Sequence, residues 1–164
     1  MKLRKTILAI LGISLVGSLT ETVQADDIMN FPASQCRAQD SGSLTIMSSG
    51  EVENQTLSVV TALCPVERKS VNGAFLTKLS GTVWALDESS TADVCCHAVS
   101  QNPVGGTVNG TSVCSSGSST SYQGLVVPEI TAVSGSYSNY YIVCTVPALA
   151  FGTSGLSSYR AIQK

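Results

Sequence analysis

Ile7 to Gly17 is an uninterrupted run of 11 apolar and small residues. Beyond it, no segment repeats apolar residues every 3.6 positions as an amphipathic helix would. Short stretches alternate instead, separated by Gly, Ser, Asn and Pro. Residues 43–48 set Leu44 and Ile46 against Thr45 and Met47. Further strands are predicted over residues 56–63, 81–87, 92–100, 120–127, 139–146 and 156–162, with a weaker, glycine-containing edge segment over 106–114. Pro65, Pro128 and Pro147 each follow a predicted strand. Proline has no N–H for the ladder, so it belongs at strand ends or edges. About eight short strands without helices predict an all-β fold, an antiparallel β-sandwich of jelly-roll or immunoglobulin-like order.

The first run has another meaning. Lys2, Arg4 and Lys5 precede it, and a more polar segment leads to Val23 and Ala25, which suit the −3 and −1 positions of a signal peptidase site. Eleven residues are too few for a bilayer, which takes ~20 in a helix. Residues 1–25 are therefore predicted as a signal peptide and residues 26–164 as one β-sandwich domain, secreted or periplasmic, with no membrane span in the mature form.

Removing Lys2, Arg4, Lys5 and Glu21 leaves six basic and ten acidic residues in the mature chain. Its bases are scattered, and only Arg68 and Lys69 adjoin. Phosphate backbones and anionic lipid both require clustered cations, so nucleic acid is excluded as a partner and a lipid surface is disfavoured.

All six cysteines lie beyond residue 25, an even count that predicts a disulfide-stapled domain. Fifteen pairings are open to six cysteines. Cys95 and Cys96 are neighbours on a predicted strand, so they point to opposite faces and take different partners. Cys114 lies one hairpin beyond Cys95, and Cys36 and Cys64 flank the first hairpin. The pairing read from this is Cys36–Cys64, Cys95–Cys114 and Cys96–Cys144, the last linking two sheets. The competing metal reading fails on spacing. Zinc takes cysteines in C-x₂₋₄-C pairs, whereas Cys95, Cys96 and His97 are consecutive on a strand and cannot converge. No metal and no cofactor is expected.

Cys64-Pro65-Val66-Glu67-Arg68, Cys144-Thr145-Val146-Pro147 and Ser158-Tyr159-Arg160 carry a resemblance to a group of small exported bacterial proteins of unknown function. These share a C-P-x-x-R strand end, a C-T-[VI]-P strand and a terminal S-Y-R. The resemblance implies a shared fold and no activity. Cys95 and Cys114 look like additions to the shared pattern.

No catalytic set emerges. His97 is the one histidine, and no partner for it can be placed from sequence. The G-x-S-x-G elbow is absent. Asp26–Asp27, Glu51/Glu53 and Asp87–Glu88 read as solvated turn charges, and none has calcium-loop spacing. Arg68 and Arg160 read as partners of carboxylates or strand-end carbonyls. Trp84, between Val83 and Ala85, reads as core. Tyr137, Tyr140 and Tyr141 adjoin a predicted loop and form the candidate aromatic binding patch. The sequons at Asn54 and Asn109 would mark exposed loops. The sum is an exported, non-catalytic protein that binds a protein or glycan partner, or contributes to the cell surface or extracellular matrix. The alternatives are a secreted hydrolase of an extracellular polymer and a self-assembling structural subunit.

Overall fold

The computed structural model describes residues 26–39, 42–133 and 137–164. The expected signal peptide, residues 1–25, lies outside the described residues. Among the described residues no helix is long and apolar enough to cross a membrane.

Among the described residues two six-stranded antiparallel sheets dominate. The first contains β1 (Asp27–Pro32), β3 (Thr45–Ile46), β4 (Val52–Glu53), β8 (Lys78–Asp87), β12 (Ser119–Thr131) and β14 (Ser154–Gln163). Its order is β12-β8-β14-β4-β3, and β1 also pairs with β14. The second contains β2 (Arg37–Ala38), β5 (Val60–Val66), β9 (Cys95–Gln101), β10 (Thr107–Asn109), β11 (Val113–Cys114) and β13 (Asn139–Val146). Its order is β10-β9-β13-β5-β2, with β11 also on β9. Successive long strands switch sheets. Taking β10 and β11 as one position, β4-β14-β8-β12 faces β5-β13-β9-β10/β11. That interleaving is the jelly-roll order, which decides between the two orders expected from sequence. A separate hairpin, β6 (Ser70–Val71) and β7 (Ala74–Phe75), closes through Asn72 and Gly73. Their φ values of 52° and 81° suit the tight two-residue turn that matches strand twist.

Alternation builds the core. Leu79, Val83 and Ala85 of β8 are fully buried, as are Ala62, Cys64, Ala98, Ile142 and Cys144 of the facing sheet. Gly81 lies in the same inward row. A Cβ there would collide with the Arg160 carbonyl oxygen on the neighbouring strand β14 and press on Ile142 of the facing sheet, so glycine is needed for β8 to lie this close to β14. Tyr159 fills the far end, stacked on Phe31 at 4.9 Å, with its hydroxyl donating to the Pro65 carbonyl at 2.7 Å.

The bridges are Cys36–Cys64, Cys95–Cys114 and Cys96–Cys144. Cys96 stands directly opposite Cys144 on neighbouring strands, so this bridge lies within the second sheet and does not link the two layers. All three bridges staple that one sheet or its entry from Cys36, and the first sheet has none among the described residues. Cys96 is buried and Cys95 is partly exposed, one on each face.

Several expectations are corrected. The predicted strand 56–63 starts later, at Val60, and runs through Pro65. Pro65 is tolerated because β2 pairs only Ala62 and Leu63, which leaves the ladder open on that side. Pro128 also falls inside a strand, at a bulge on the edge strand β12. The segment 106–114 splits into β10 and β11. β1 went unpredicted. Trp84 is not core: Val83 and Ala85 point inward, so Trp84 lies on the outer face, partly exposed. Asp87 is no solvated turn charge but fully buried, accepting from the Ser89 N–H at 3.1 Å, the Val94 N–H at 3.3 Å, the Ser154 hydroxyl at 3.2 Å and the Ser115 hydroxyl. Asn54 is buried too. Its amide donates to the carbonyls of Ser58, Val146 and Pro147, and its oxygen accepts from Thr56.

Candidate functional site

The stapled sheet presents its outer face in registered rows. Asn109, Val99, Tyr141 and Pro65 stand side by side across four strands. The next row runs His97, Val143, Leu63 and Arg37. A third holds Thr107, Gln101 and Asn139. Gln39 extends the line of β2, its N–H donating to the Thr61 carbonyl at 2.7 Å. Parts of these rows floor a groove of about 470 Å³ lined by Gln39, Leu63, His97, Val99, Gln101, Thr107, Asn109, Tyr141 and Val143, with Arg37, Pro65 and Asn139 outside its lining. That volume lies in the ordinary range for small-ligand sites, ~300–1,000 Å³.

The floor is apolar at Val99, Val143 and Leu63, and the rim is polar and uncharged. The amides of Gln39, Gln101 and Asn109, the hydroxyls of Thr107 and Tyr141 and the imidazole of His97 make no side-chain hydrogen bond among the described residues. They are free to engage a ligand. Burial lowers the His97 pKa below its ordinary 6.5, so at neutral pH the ring is uncharged. A neutral imidazole offers one N–H donor and one acceptor nitrogen. Among the described residues the lining holds no carboxylate.

The three candidate tyrosines do not form one patch. Tyr141 lies in the groove. Tyr140 points the other way by strand alternation and is 1% exposed, its hydroxyl donating to the Leu76 carbonyl at 3.1 Å. The expected exposure of Tyr140 is therefore corrected. Tyr137 is 79% exposed and borders a separate hollow with Arg68, Phe75 and Ser138. Arg68 caps backbone carbonyls there, donating to Leu76 at 3.1 Å and to Ser138 at 3.2 Å, and its guanidinium lies 5.0 Å from the Phe75 ring and 5.4 Å from the Tyr140 ring.

Gln39, Gln101 and Thr107 were not singled out from sequence, and Asn109 only as a sequon. Alternation along 95–101 carries part of the signal, because His97, Val99 and Gln101 share one face. The rest depends on strand order, which brings β10 and Gln39 to that face.

No family model matches the chain, and no curated protein sequence matches it. Its fold has counterparts among solved structures. A family two carbohydrate esterase from Cellvibrio japonicus aligns at 8% identity and TM-score 0.48, over 85% of this chain and 35% of the esterase. The arabinose-bound α-L-arabinofuranosidase MgGH51 aligns at 11% identity and TM-score 0.51, over 79% of this chain and 23% of that one. The low-affinity xylan-binding module CBM86 from Roseburia intestinalis aligns at 11% identity and TM-score 0.42, over 86% of this chain and 97% of the module. The chain thus spans 35% and 23% of the two enzymes' lengths. The likeness to the arabinofuranosidase is one of fold.

Proposed function

We propose that this chain is an exported, non-catalytic glycan-binding protein whose site is the groove on the stapled sheet. One observation carries the reading: uncommitted amides, hydroxyls and a neutral imidazole converge around Tyr141 in a groove whose described lining residues carry no charged side chain. Sugar hydroxyls both donate and accept, as do Asn, Gln and neutral His side chains taken whole. A tyrosine ring offers the apolar faces of a pyranose a flat surface at low entropic cost, since it has few rotatable bonds. Three disulfides fit an oxidising compartment outside the cytoplasm. Their concentration in one sheet holds the groove floor in shape before the ligand arrives, which limits the ordering cost of binding.

The hydrolase alternative fares worse in the groove. Glycoside cleavage ordinarily uses two carboxyl groups ~5–10 Å apart, and the described residues of this lining supply none. Fold likeness does not decide between the readings, because one fold hosts many activities.

Affinity electrophoresis against soluble xylan, arabinan, β-glucan and galactan tests the proposal. Retardation in at least one gel, abolished by Tyr141→Ala and weakened by Gln101→Ala, is expected. Unretarded wild type in all four gels, or a Tyr141→Ala variant retarded like wild type, would overturn it.

A further inference from the structure

We propose that the outer face of the first sheet carries a second, separate site, for a saccharide bearing a carboxylate. Trp84 lies at its centre. Its cross-strand neighbours are Gly124 on β12 and Ser158 on β14. Gly124 puts no side chain on the indole, and a Cβ there would meet Trp84 Nε1 at an ordinary 3.9 Å. Next to the indole lies a hollow of about 250 Å³ lined by Asn30, Trp84, Tyr122, Ser157 and Ser158. Two aromatic side chains from different strands thus meet in one open hollow, with small hydroxyl residues between strands. Trp and Tyr are the side chains best suited to stack against a sugar ring.

The charge class comes from Arg160. Its guanidinium lies 5.5 Å from the Trp84 ring centre, and its Nε donates to Asn30 Oδ1 at 3.0 Å. Among the described residues it makes no ion pair, and its terminal N–H groups have no partner. Such a fork matches a carboxylate in shape and charge. The opposite end carries the reverse sign. The Tyr122 hydroxyl bonds to Glu51, with Glu53 nearby, and burial together with these carboxylates pushes its pKa up to about 12. An acidic sugar therefore lies with its carboxylate at Arg160 and its uncharged end toward Tyr122.

Trp84 is the single tryptophan of the chain, so its emission reports this face alone. The test is a fluorescence titration with glucuronosyl-xylobiose, a trimer whose single carboxylate sits on one terminal sugar, and with the same trimer after that carboxylate is reduced to a hydroxymethyl group. The acidic trimer should change Trp84 emission saturably, and added salt should weaken it. The reduced trimer, and the acidic trimer on Arg160→Gln, should each bind about tenfold or more weakly, the scale of a lost charge-assisted hydrogen bond. Ser158→Leu, at a position that lines the hollow, should fill it and abolish the response while the melting temperature holds. Tyr141→Ala should leave the response intact, which keeps this outcome separate from that of the groove. An unresponsive wild type would overturn the proposal. So would equal binding of both trimers, or wild-type affinity in a folded Arg160→Gln or Ser158→Leu protein.

Discussion

The hydroxyl of Ser115 donates to Asp87 Oδ2 inside the protein, across 28 positions of sequence. Asp87 ends β8, Ser115 precedes β12, and the same carboxylate gathers the 88–94 loop and the start of β14. It joins four chain segments at one end of the sandwich. Asp87→Ala strands these buried donors and should cost about 2–4 kcal/mol in urea unfolding. Ser115→Ala should cost about 1–3 kcal/mol, as expected for a hydrogen bond to a charged group. The double variant should lose less than the sum, because the two residues share one network. Strict additivity would mean the contact is energetically idle.

Tyr140 and Tyr141 are neighbours with opposite tasks. Tyr140→Ala opens a cavity in the core and should cost about 3–5 kcal/mol, and Tyr140→Phe about 1 kcal/mol through the lost bond to Leu76. Tyr141→Ala should change stability by less than about 1 kcal/mol while removing glycan retardation. Thermal or urea melts of the three variants, read beside the gels, check the division. A Tyr141→Ala protein as unstable as Tyr140→Ala would make Tyr141 a packing residue.

The same pair shows what was legible from sequence. The alternation that buries Tyr140, Ile142 and Cys144 was present in the residues, yet both tyrosines were assigned by their closeness to a loop. Trp84 reads as core from its apolar flanks Val83 and Ala85, yet those two share the inward face, and alternation turns Trp84 outward. Strand existence was readable because β-rich segments are punctuated by turn residues. The jelly-roll order, and with it the groove, was not. Which strands neighbour one another depends on pairings more than a hundred residues apart, such as Asn30 with Arg160. β1 was missed because its six residues mix Asp, Asn and Pro with apolar positions, and its pairing with β14 supplies what its sequence lacks.

Reduction should proceed in order. Cys114 is exposed and Cys95 partly so, whereas Cys36, Cys64, Cys96 and Cys144 are buried. Thiol–disulfide exchange needs access for the attacking thiolate. Mild reductant under native conditions, followed by alkylation and mass spectrometry, should label Cys95 and Cys114 first. The other four should react only with added denaturant. Early labelling of Cys96 or Cys144 would show that the second sheet opens readily.

The lowered pKa of His97 gives stability a pH slope. The unfolded chain binds a proton as pH falls through about 6.5, while the folded chain resists until lower pH. His97 therefore leaves stability whole above that value and erodes it progressively as pH falls through the folded pKa. Melting temperatures of wild type and His97→Gln should run parallel above about pH 7.5 and diverge below about pH 6.5, with the variant losing less. Curves that stay parallel down to about pH 5 would place the imidazole in a solvent-like setting.

The two sequons should behave differently in a host that glycosylates. Asn54 spends its amide on Ser58, Val146 and Pro147 and is fully buried, so a transferase cannot reach it in the folded chain. Asn109 is exposed on β10 and lines the groove. Expression in a yeast secretory host should yield glycan at Asn109 and none at Asn54, read by peptide mapping. A bulky glycan there would stand where a polysaccharide is proposed to lie. The modified protein should lose retardation in the affinity gels, and Asn109→Gln or enzymatic deglycosylation should restore it. Modification at Asn109 with undiminished retardation would move the binding site off this sheet.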